Sequence, residues 1–261
     1  MPVMKPTTSG YAPANGLDLY YEIYGSGDPL VLIHGGGSTI ESNFGYFIPL
    51  LTGDRQIIAM ELQAHGHTKD RGTPTSFEQD ADDVAALLAF LNIPQAEILG
   101  FSNGGNTAMQ LAARHPQVVK KLVIASSFYK RDGLFKGFFD FMNTASLDNM
   151  PMGLQEAYLA INNDRAALEI MHNRDRDRML GFQDWPDEML RNITSPTLII
   201  GGDQDVMVPE HFVEMFRLFP KAQLAILPGG HGGYLGEVTQ RHLSGEQPEI
   251  AAKLILAFLN S

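Results

Sequence analysis

The chain has 261 residues, enough for one large α/β domain or two small ones. Its formal net charge of −11 argues against a nucleic-acid partner, because phosphate binding needs clustered Lys and Arg. It has no cysteine, which excludes disulfides, thiol catalysis and cysteine metal sites, and no apolar run approaches the length of a membrane span. Hydrophobic residues at 44% and charged residues at 19% are ordinary for a globular protein. The stretch Met1 to Tyr11 has no apolar leader core. A soluble, cytoplasmic protein is the expectation.

Asn15-Gly16 sits between two strand-like runs, Gly10–Ala14 and Leu17–Tyr24, and is a strong two-residue hairpin signal. Leu30 to Ile33 is a continuous apolar run, as expected for a strand buried on both faces. It ends in His34-Gly35-Gly36-Gly37, where the absence of Cβ atoms lets the backbone come close to a neighbour. A short helix is expected over Tyr46–Leu51, and Arg55–Met60 reads as the next strand. Glu61 to Pro74 is polar and reads as a loop. Ser76 with Gln79 three residues on forms a capping-box pattern. The helix it opens carries Val84, Leu87, Leu88 and Leu91 at helical spacing and stops before Pro94.

Ala96 to Leu99 is the next strand, and a helix-like run, Thr107–Arg114, follows it. Between them lies Gly100-Phe101-Ser102-Asn103-Gly104, the G-x-S-x-G pattern in a strand–turn–helix setting. Such a turn lifts the serine clear of the sheet, at a helix start where backbone N–H groups are unpaired. Val119–Ser126 is a further strand. The alternation then breaks. Phe128 to Asn192 shows only helix-like pieces, Leu134–Thr144, Leu154–Asn162, Ala166–Arg178 and Asp187–Leu190, rich in Phe and Met. This segment reads as a helical insertion over the sheet. Within it, Arg174, Asp175, Arg176, Asp177 and Arg178 read as a solvated helix face, with an arginine binding a substrate carboxylate as the sharper alternative. Strand Leu198–Ile200, helix Glu210–Phe219, strand Gln223–Leu227 and helix Pro248–Leu259 complete the chain, the last with Ile250, Leu254, Ile255 and Phe258 on its buried side.

Alternating strands and helices imply a mainly parallel sheet covered on both faces, with sites at the carboxyl ends of the strands. Those ends carry the loop after His34, Ser102, Asp203 or Asp205, and His231 in a glycine-rich loop. A serine hydroxyl is a poor nucleophile and needs a base, and an imidazole can take its proton and later return it to the leaving group. His231 is the candidate base. His34 reads as a brace for the glycine loop. His65 and His67 lie in the polar loop, His115 ends a helix, His172 lies in the helical segment, and His211 and His242 lie on or beside helices. No metal or organic cofactor is implied.

In this order at strand ends, His34-Gly35-Gly36-Gly37, Gly100 to Gly104, Gly202 to Pro209 and Gly230-His231 resemble the α/β-hydrolase family over nearly the whole length. The resemblance implies an α/β-hydrolase fold with a mainly parallel sheet, a core of residues 1–127 and 193–261, and a helical cap (lid) over 128–192. It implies a catalytic serine–acid–histidine set of Ser102, Asp205 and His231. Asp205 stands four residues before Pro209, as the family's acid does, which leaves Asp203 as a turn-former or the alternative acid. The oxyanion donors implied are the backbone N–H groups of Asn103 and Gly36, with Gly37 as the alternative to Gly36. One departure is Glu61 to Thr68, where relatives carry Asp-x-x-Gly-x-Gly-x-Ser.

The activity implied is cleavage of a small-molecule carboxylic ester through an acyl-enzyme on Ser102, under an apolar Phe- and Met-rich roof. The same triad serves lactonases, thioesterases, amidases, perhydrolases and the carbon–carbon bond hydrolases of ring-cleavage pathways. That last group is the main rival because Asn43-Phe44 is similar to its Asn-Phe, although its Gly-Asn-Ser-Met-Gly-Gly turn is Gly-Phe-Ser-Asn-Gly-Gly here. Dehalogenases and epoxide hydrolases place aspartate where Ser102 stands. A non-catalytic ligand receptor on the same fold is the reading from another class.

Overall fold

The computed structural model of the chain describes residues 4–261, so Met1–Val3 of the stretch read for a leader lie outside the described residues. Strands β1 (Thr8–Ala14) and β2 (Leu17–Gly25) form the expected hairpin. Asn15 and Gly16 at its tip have φ of 46° and 86°, the left-handed pair that a tight two-residue turn requires. Strands β3 (Asp28–Ile33), β4 (Arg55–Met60), β5 (Ala96–Phe101), β6 (Val119–Ala125), β7 (Thr197–Gly202) and β8 (Ala222–Leu227) follow. The sheet order is β1-β2-β4-β3-β5-β6-β7-β8, with the hairpin antiparallel and β4 through β8 parallel. The chain leaves β3 toward β4 on one side and returns to β5 on the other. That reversal opens a crevice at the carboxyl ends of β3 and β5, where an open sheet places its ligand site.

Apolar side chains alternate across the parallel strands and fill both faces. Val31, Ile33, Ile98, Leu122, Ile124 and Ile199 join one core layer. Leu30, Leu32, Leu99, Val123, Leu198 and Ile200 join the other. Truncating one of these to alanine typically costs about 2–5 kcal/mol.

Ten helices cover the sheet among the described residues. They are α1 (Ile40–Phe44), α2 (Ile48–Leu51), α3 (Phe77–Phe90), α4 (Asn103–Arg114), α5 (Phe138–Asn143), α6 (Met152–Ile161), α7 (Arg165–Gly181), α8 (Asp187–Arg191), α9 (Pro209–Leu218) and α10 (Gln247–Leu259). Between β6 and β7 the regular helices are α5 to α8, and no strand lies there among the described residues. None of the helices is long and apolar enough to cross a membrane.

Several local expectations need correction. Helix α1 was not foreseen; Thr39 caps it, accepting from Ser42 N. Ser76 caps α3 by accepting from Gln79 N, but the Gln79 side chain donates to Asp83 and does not accept from Ser76 N, so only half of the capping box forms. The helix expected from Leu134 begins at Phe138, because Leu134 is held extended in a bridge to Met207. Ile250 is exposed, since the buried stripe of α10 runs through Ala251, Ile255 and Phe258.

Candidate active site

Ser102 sits at the sharp turn between β5 and α4 with φ 54° and ψ −122°, a strained combination for a side chain larger than glycine. Its neighbours explain how the turn survives. A Cβ on Gly100 would lie 2.1 Å from the Gly104 carbonyl oxygen, and one on Gly104 would lie 2.1 Å from that of Ile33. Glycine is therefore required at both places. The Ser102 amide donates to the Ala125 carbonyl at 2.8 Å, tying the turn to β6.

The loop after β8 brings His231 to this serine. Nε2 of His231 stands 3.1 Å from Ser102 Oγ, and Nδ1 stands 2.6 Å from Asp205 Oδ1. With the proton on Nδ1, the imidazole donates to Asp205 and leaves Nε2 to accept from the serine. The Phe101 ring packs against His231, centroid to centroid 4.7 Å, and limits its swing.

Asp205 is fully enclosed at its side chain. Its carboxylate accepts from Val206 N at 2.7 Å, from Gly202 N at 3.1 Å and from the Ser126 hydroxyl. Ser126 in turn lies 2.7 Å from the Tyr234 hydroxyl. Burial would raise the Asp205 pKa, but the His231 imidazole and these donors outweigh it and hold the carboxyl below the usual carboxylate range. Asp203 takes no part in this group. It accepts from Gly229 N at 2.8 Å and pins the loop after β8, the turn-forming role expected of it.

The glycine loop after β3 closes the other side. Gly35 N donates to Asn43 Oδ1 at 2.8 Å, and Gly37 N donates to Asp175 Oδ2 at 2.6 Å. The amides of Gly36 and Asn103 donate to no acceptor among the described residues. Asn103 opens α4, where a free amide is intrinsic to the helix start. Gly37 is therefore engaged, and Gly36 is the free donor of the two. A Cβ on Gly36 would lie 2.5 Å from Asn103 Nδ2, so the loop packs directly against the residue after the serine.

His34 braces this loop as expected. Its Nδ1 donates to Gly35 O at 2.7 Å and its Nε2 accepts from Leu62 N at 3.0 Å. Burial, helped by nearby His65, pushes its pKa down to about 3, so the ring is held neutral. Glu61 accepts from Ile40 N at 3.3 Å and from His67 N at 2.6 Å, which gives the departing loop a structural anchor. Asn43 and Phe44, the feature shared with ring-cleavage hydrolases, are buried behind the glycine loop, and neither lines the cavity.

Ser102, His231, Gly36 and Asn103 open onto a cavity of about 250 Å³. Phe128, Leu134, Phe138, Met142, Met150 and Met207 form much of its wall. The charged run of α7 is not a uniformly solvated face. Asp175 and Arg178 are 9% and 7% exposed, Arg174 pairs with Asp70, and Arg176, paired with the exposed Asp177, lines the cavity, where the sequence left open an arginine for a substrate carboxylate. Ser126, Tyr234 and Asp175 were missed in the sequence. The position of Ser126 just past β6 marked a strand end, whereas nothing in the pattern marked Asp175.

Residues 28–151 match the family model described as alpha/beta hydrolase fold. The chain is 26% identical to pyrrolizixenacetamide deacetylase of Xenorhabdus hominickii, over 92% of this chain and 94% of that protein. It is 28% identical to the serine hydrolase BPHL of Homo sapiens, over 85% of this chain and 79% of that one. Its fold is similar to that of a meta-cleavage product hydrolase from Pseudomonas fluorescens, with a TM-score of 0.74, 23% identity and 98% of each chain covered. The chain has the α/β-hydrolase fold.

Proposed function

We propose that the protein is a serine hydrolase that cleaves small carboxylic esters through an acyl-enzyme on Ser102. The observation that carries this reading is the relay from Ser102 Oγ to His231 Nε2 at 3.1 Å and from His231 Nδ1 to Asp205 Oδ1 at 2.6 Å, set beside two free amides at an apolar cavity. Ser102 Oγ attacks the ester carbonyl carbon and its proton passes to His231 Nε2. Asp205 stabilises the imidazolium that results. The carbonyl oxygen, now an anion, accepts from the Gly36 and Asn103 amides. The carbon–oxygen bond to the alcohol breaks as His231 returns the proton to it. Water then attacks the acyl carbon, giving its proton to His231, and the acid leaves as Ser102 regains a proton.

The helical segment from Phe128 to Asn192 acts as the cap that selects the substrate. Its contribution to the wall is mainly Phe, Leu and Met, with Asn149, His172, Asp175 and Arg176 as the polar members, which favours an apolar acyl or alcohol group of modest size. The names of the relatives, a deacetylase and a serine hydrolase, agree with acyl transfer to water. A carbon–carbon bond hydrolase on the same triad is the second reading; Asn43, the feature shared with that group, accepts from Gly35 N through Oδ1, keeps a buried Nδ2 with no partner among the described residues, and does not line the cavity.

The test is turnover of p-nitrophenyl acetate by wild type and by Ser102→Ala. The expected result is hydrolysis by wild type and a loss of about 10³-fold or more in the variant, which keeps its fold. Full activity in Ser102→Ala, or faster cleavage of a vinylogous diketone than of any ester, would overturn the reading.

A further inference from the structure

Asp175 lies on α7 in the helical segment, yet its carboxylate reaches the glycine loop of the core. Oδ2 accepts from Gly37 N at 2.6 Å and from His65 Nε2 at 2.9 Å. Oδ1 is paired with Arg178, which also pairs with Asp80 on α3. A Cβ on Gly36 would stand 3.1 Å from the same Oδ2, so the carboxylate abuts the loop that would face a developing oxyanion.

Resting on the ester-hydrolase reading, we propose that Asp175 is a positioning residue for it. By taking the Gly37 amide, Asp175 orients the loop so that the Gly36 amide alone points to the oxyanion, while His65 and Arg178 compensate its charge. The geometry explains each part. Gly37 has φ 70°, a conformation with no side-chain restraint, so an external acceptor is needed to fix its amide. An uncompensated carboxylate beside the place where negative charge develops would oppose the reaction, since charges act strongly in a dry site.

The compensation is present. Burial would lower the His65 pKa, but the Asp175 charge and hydrogen bond outweigh it and raise it, which favours the imidazolium. Burial would raise the Asp175 pKa, and the His65 and Arg178 charges outweigh it and hold it well below the usual carboxylate range. The other groups facing the pair are His34, whose ring lies 4.8 Å from that of His65, and Asp80, already bonded to Arg178. The segment that covers the substrate thus also completes the loop that would stabilise its transition state, and a displaced α7 would leave the Gly37 amide unheld.

The experiment compares full-length wild type, Asp175→Ala and Asp175→Asn. It measures the rate of Ser102 phosphonylation by a fluorophosphonate, together with kcat and KM on p-nitrophenyl acetate. Asp175→Ala is expected to slow phosphonylation and kcat by about 10- to 100-fold, with KM changed less than about 3-fold. Asp175→Asn, whose carbonyl still accepts from Gly37, is expected to recover most of that loss. Equal phosphonylation of Asp175→Ala and wild type, or a loss confined to KM, overturns the proposal. If Asp175→Ala does not fold, His65→Gln carries the test. It keeps an N–H for Asp175 but drops one of its two countercharges, so phosphonylation is expected to slow by about 10-fold, and an unchanged rate overturns the proposal. A wild type that is not labelled at Ser102 overturns the serine-hydrolase reading itself, and this proposal falls with it.

Discussion

Asp203 and Asp205 stand two residues apart after β7, and replacing each by asparagine separates their roles. Asp205 has donors on both oxygens: His231 and Val206 on Oδ1, Gly202 and Ser126 on Oδ2. Asparagine has only one carbonyl oxygen. With its NH₂ at the Oδ1 position it opposes the Val206 amide and forces His231 to present an unprotonated Nδ1. The proton then sits on Nε2, and the ring cannot accept from Ser102. With its NH₂ at the Oδ2 position it opposes the Gly202 amide, leaving buried donors unpaired at about 1–3 kcal/mol. The wrong tautomer is the larger effect, and kcat is expected to fall by about 10³- to 10⁴-fold. Asp203 only accepts from Gly229 N, and an asparagine carbonyl can do the same. Asp203→Asn is therefore expected to keep kcat within about 3-fold, as its one bond survives. The assay is steady-state hydrolysis of p-nitrophenyl acetate, with thermal melts to verify folding. A larger loss at Asp203 than at Asp205 refutes the reasoning.

Other outcomes follow from the same geometry. Ser126→Ala removes a hydrogen bond to a buried charge, worth about 1.5–3 kcal/mol. Because Asp205 has a lowered folded pKa, that stabilisation is present above the unfolded carboxylate range and lost as pH falls through the folded pKa. The stability gap between Ser126→Ala and wild type should therefore be full at neutral pH and close in strong acid, as denaturant melts would reveal; a gap independent of pH counts against it. Gly104→Ala forces a Cβ to within 2.1 Å of the Ile33 carbonyl oxygen and 2.5 Å of the His34 one, whereas a Cβ on Gly53 meets nothing within 4 Å. The first should lower the melting temperature by about 10 °C or prevent folding, and Gly53→Ala should leave it nearly unchanged. Similar melts for the two would refute the turn argument. His34 is held neutral with a pKa of about 3, below its ordinary value, so acid favours the unfolded chain, which can take up the proton. That should cost wild type about 2 kcal/mol by pH 5, and His34→Gln should show a shallower acid limb relative to its own neutral value. Parallel acid limbs would contradict the neutral buried ring.

The individual strands and the turn at Ser102 were legible because they rest on local physics. Four apolar residues in a row at Leu30–Ile33 demand burial on both faces, and Gly100 and Gly104 are required by contacts within one strand–turn–helix unit. Asp205, preferred to Asp203 through the family resemblance in its spacing to Pro209, is the aspartate that meets His231. The support of the site was not legible. Ser126 reaches Asp205 across 79 residues, Tyr234 reaches Ser126 across 108 and Asp175 reaches Gly37 across 138, through tertiary contacts that no local period records. The run from Arg174 to Arg178 illustrates the limit. Alternating charges normally mark a wet face, yet α7 turns Asp175 and Arg178 inward because His65, Asp80 and Gly37 await them. Ile250 shows the same limit on a small scale, since its hydrophobicity matched α10 but its angular position did not.

The central claim is that Ser102 becomes covalently acylated. The direct measurement is mass spectrometry of the protein quenched during turnover of a slowly deacylating p-nitrophenyl ester. The account predicts one added acyl group on the peptide containing Ser102, formed at the rate of the p-nitrophenol burst and absent from Ser102→Ala. Product release with no adduct on Ser102, or an adduct on another residue that Ser102→Ala retains, would contradict it.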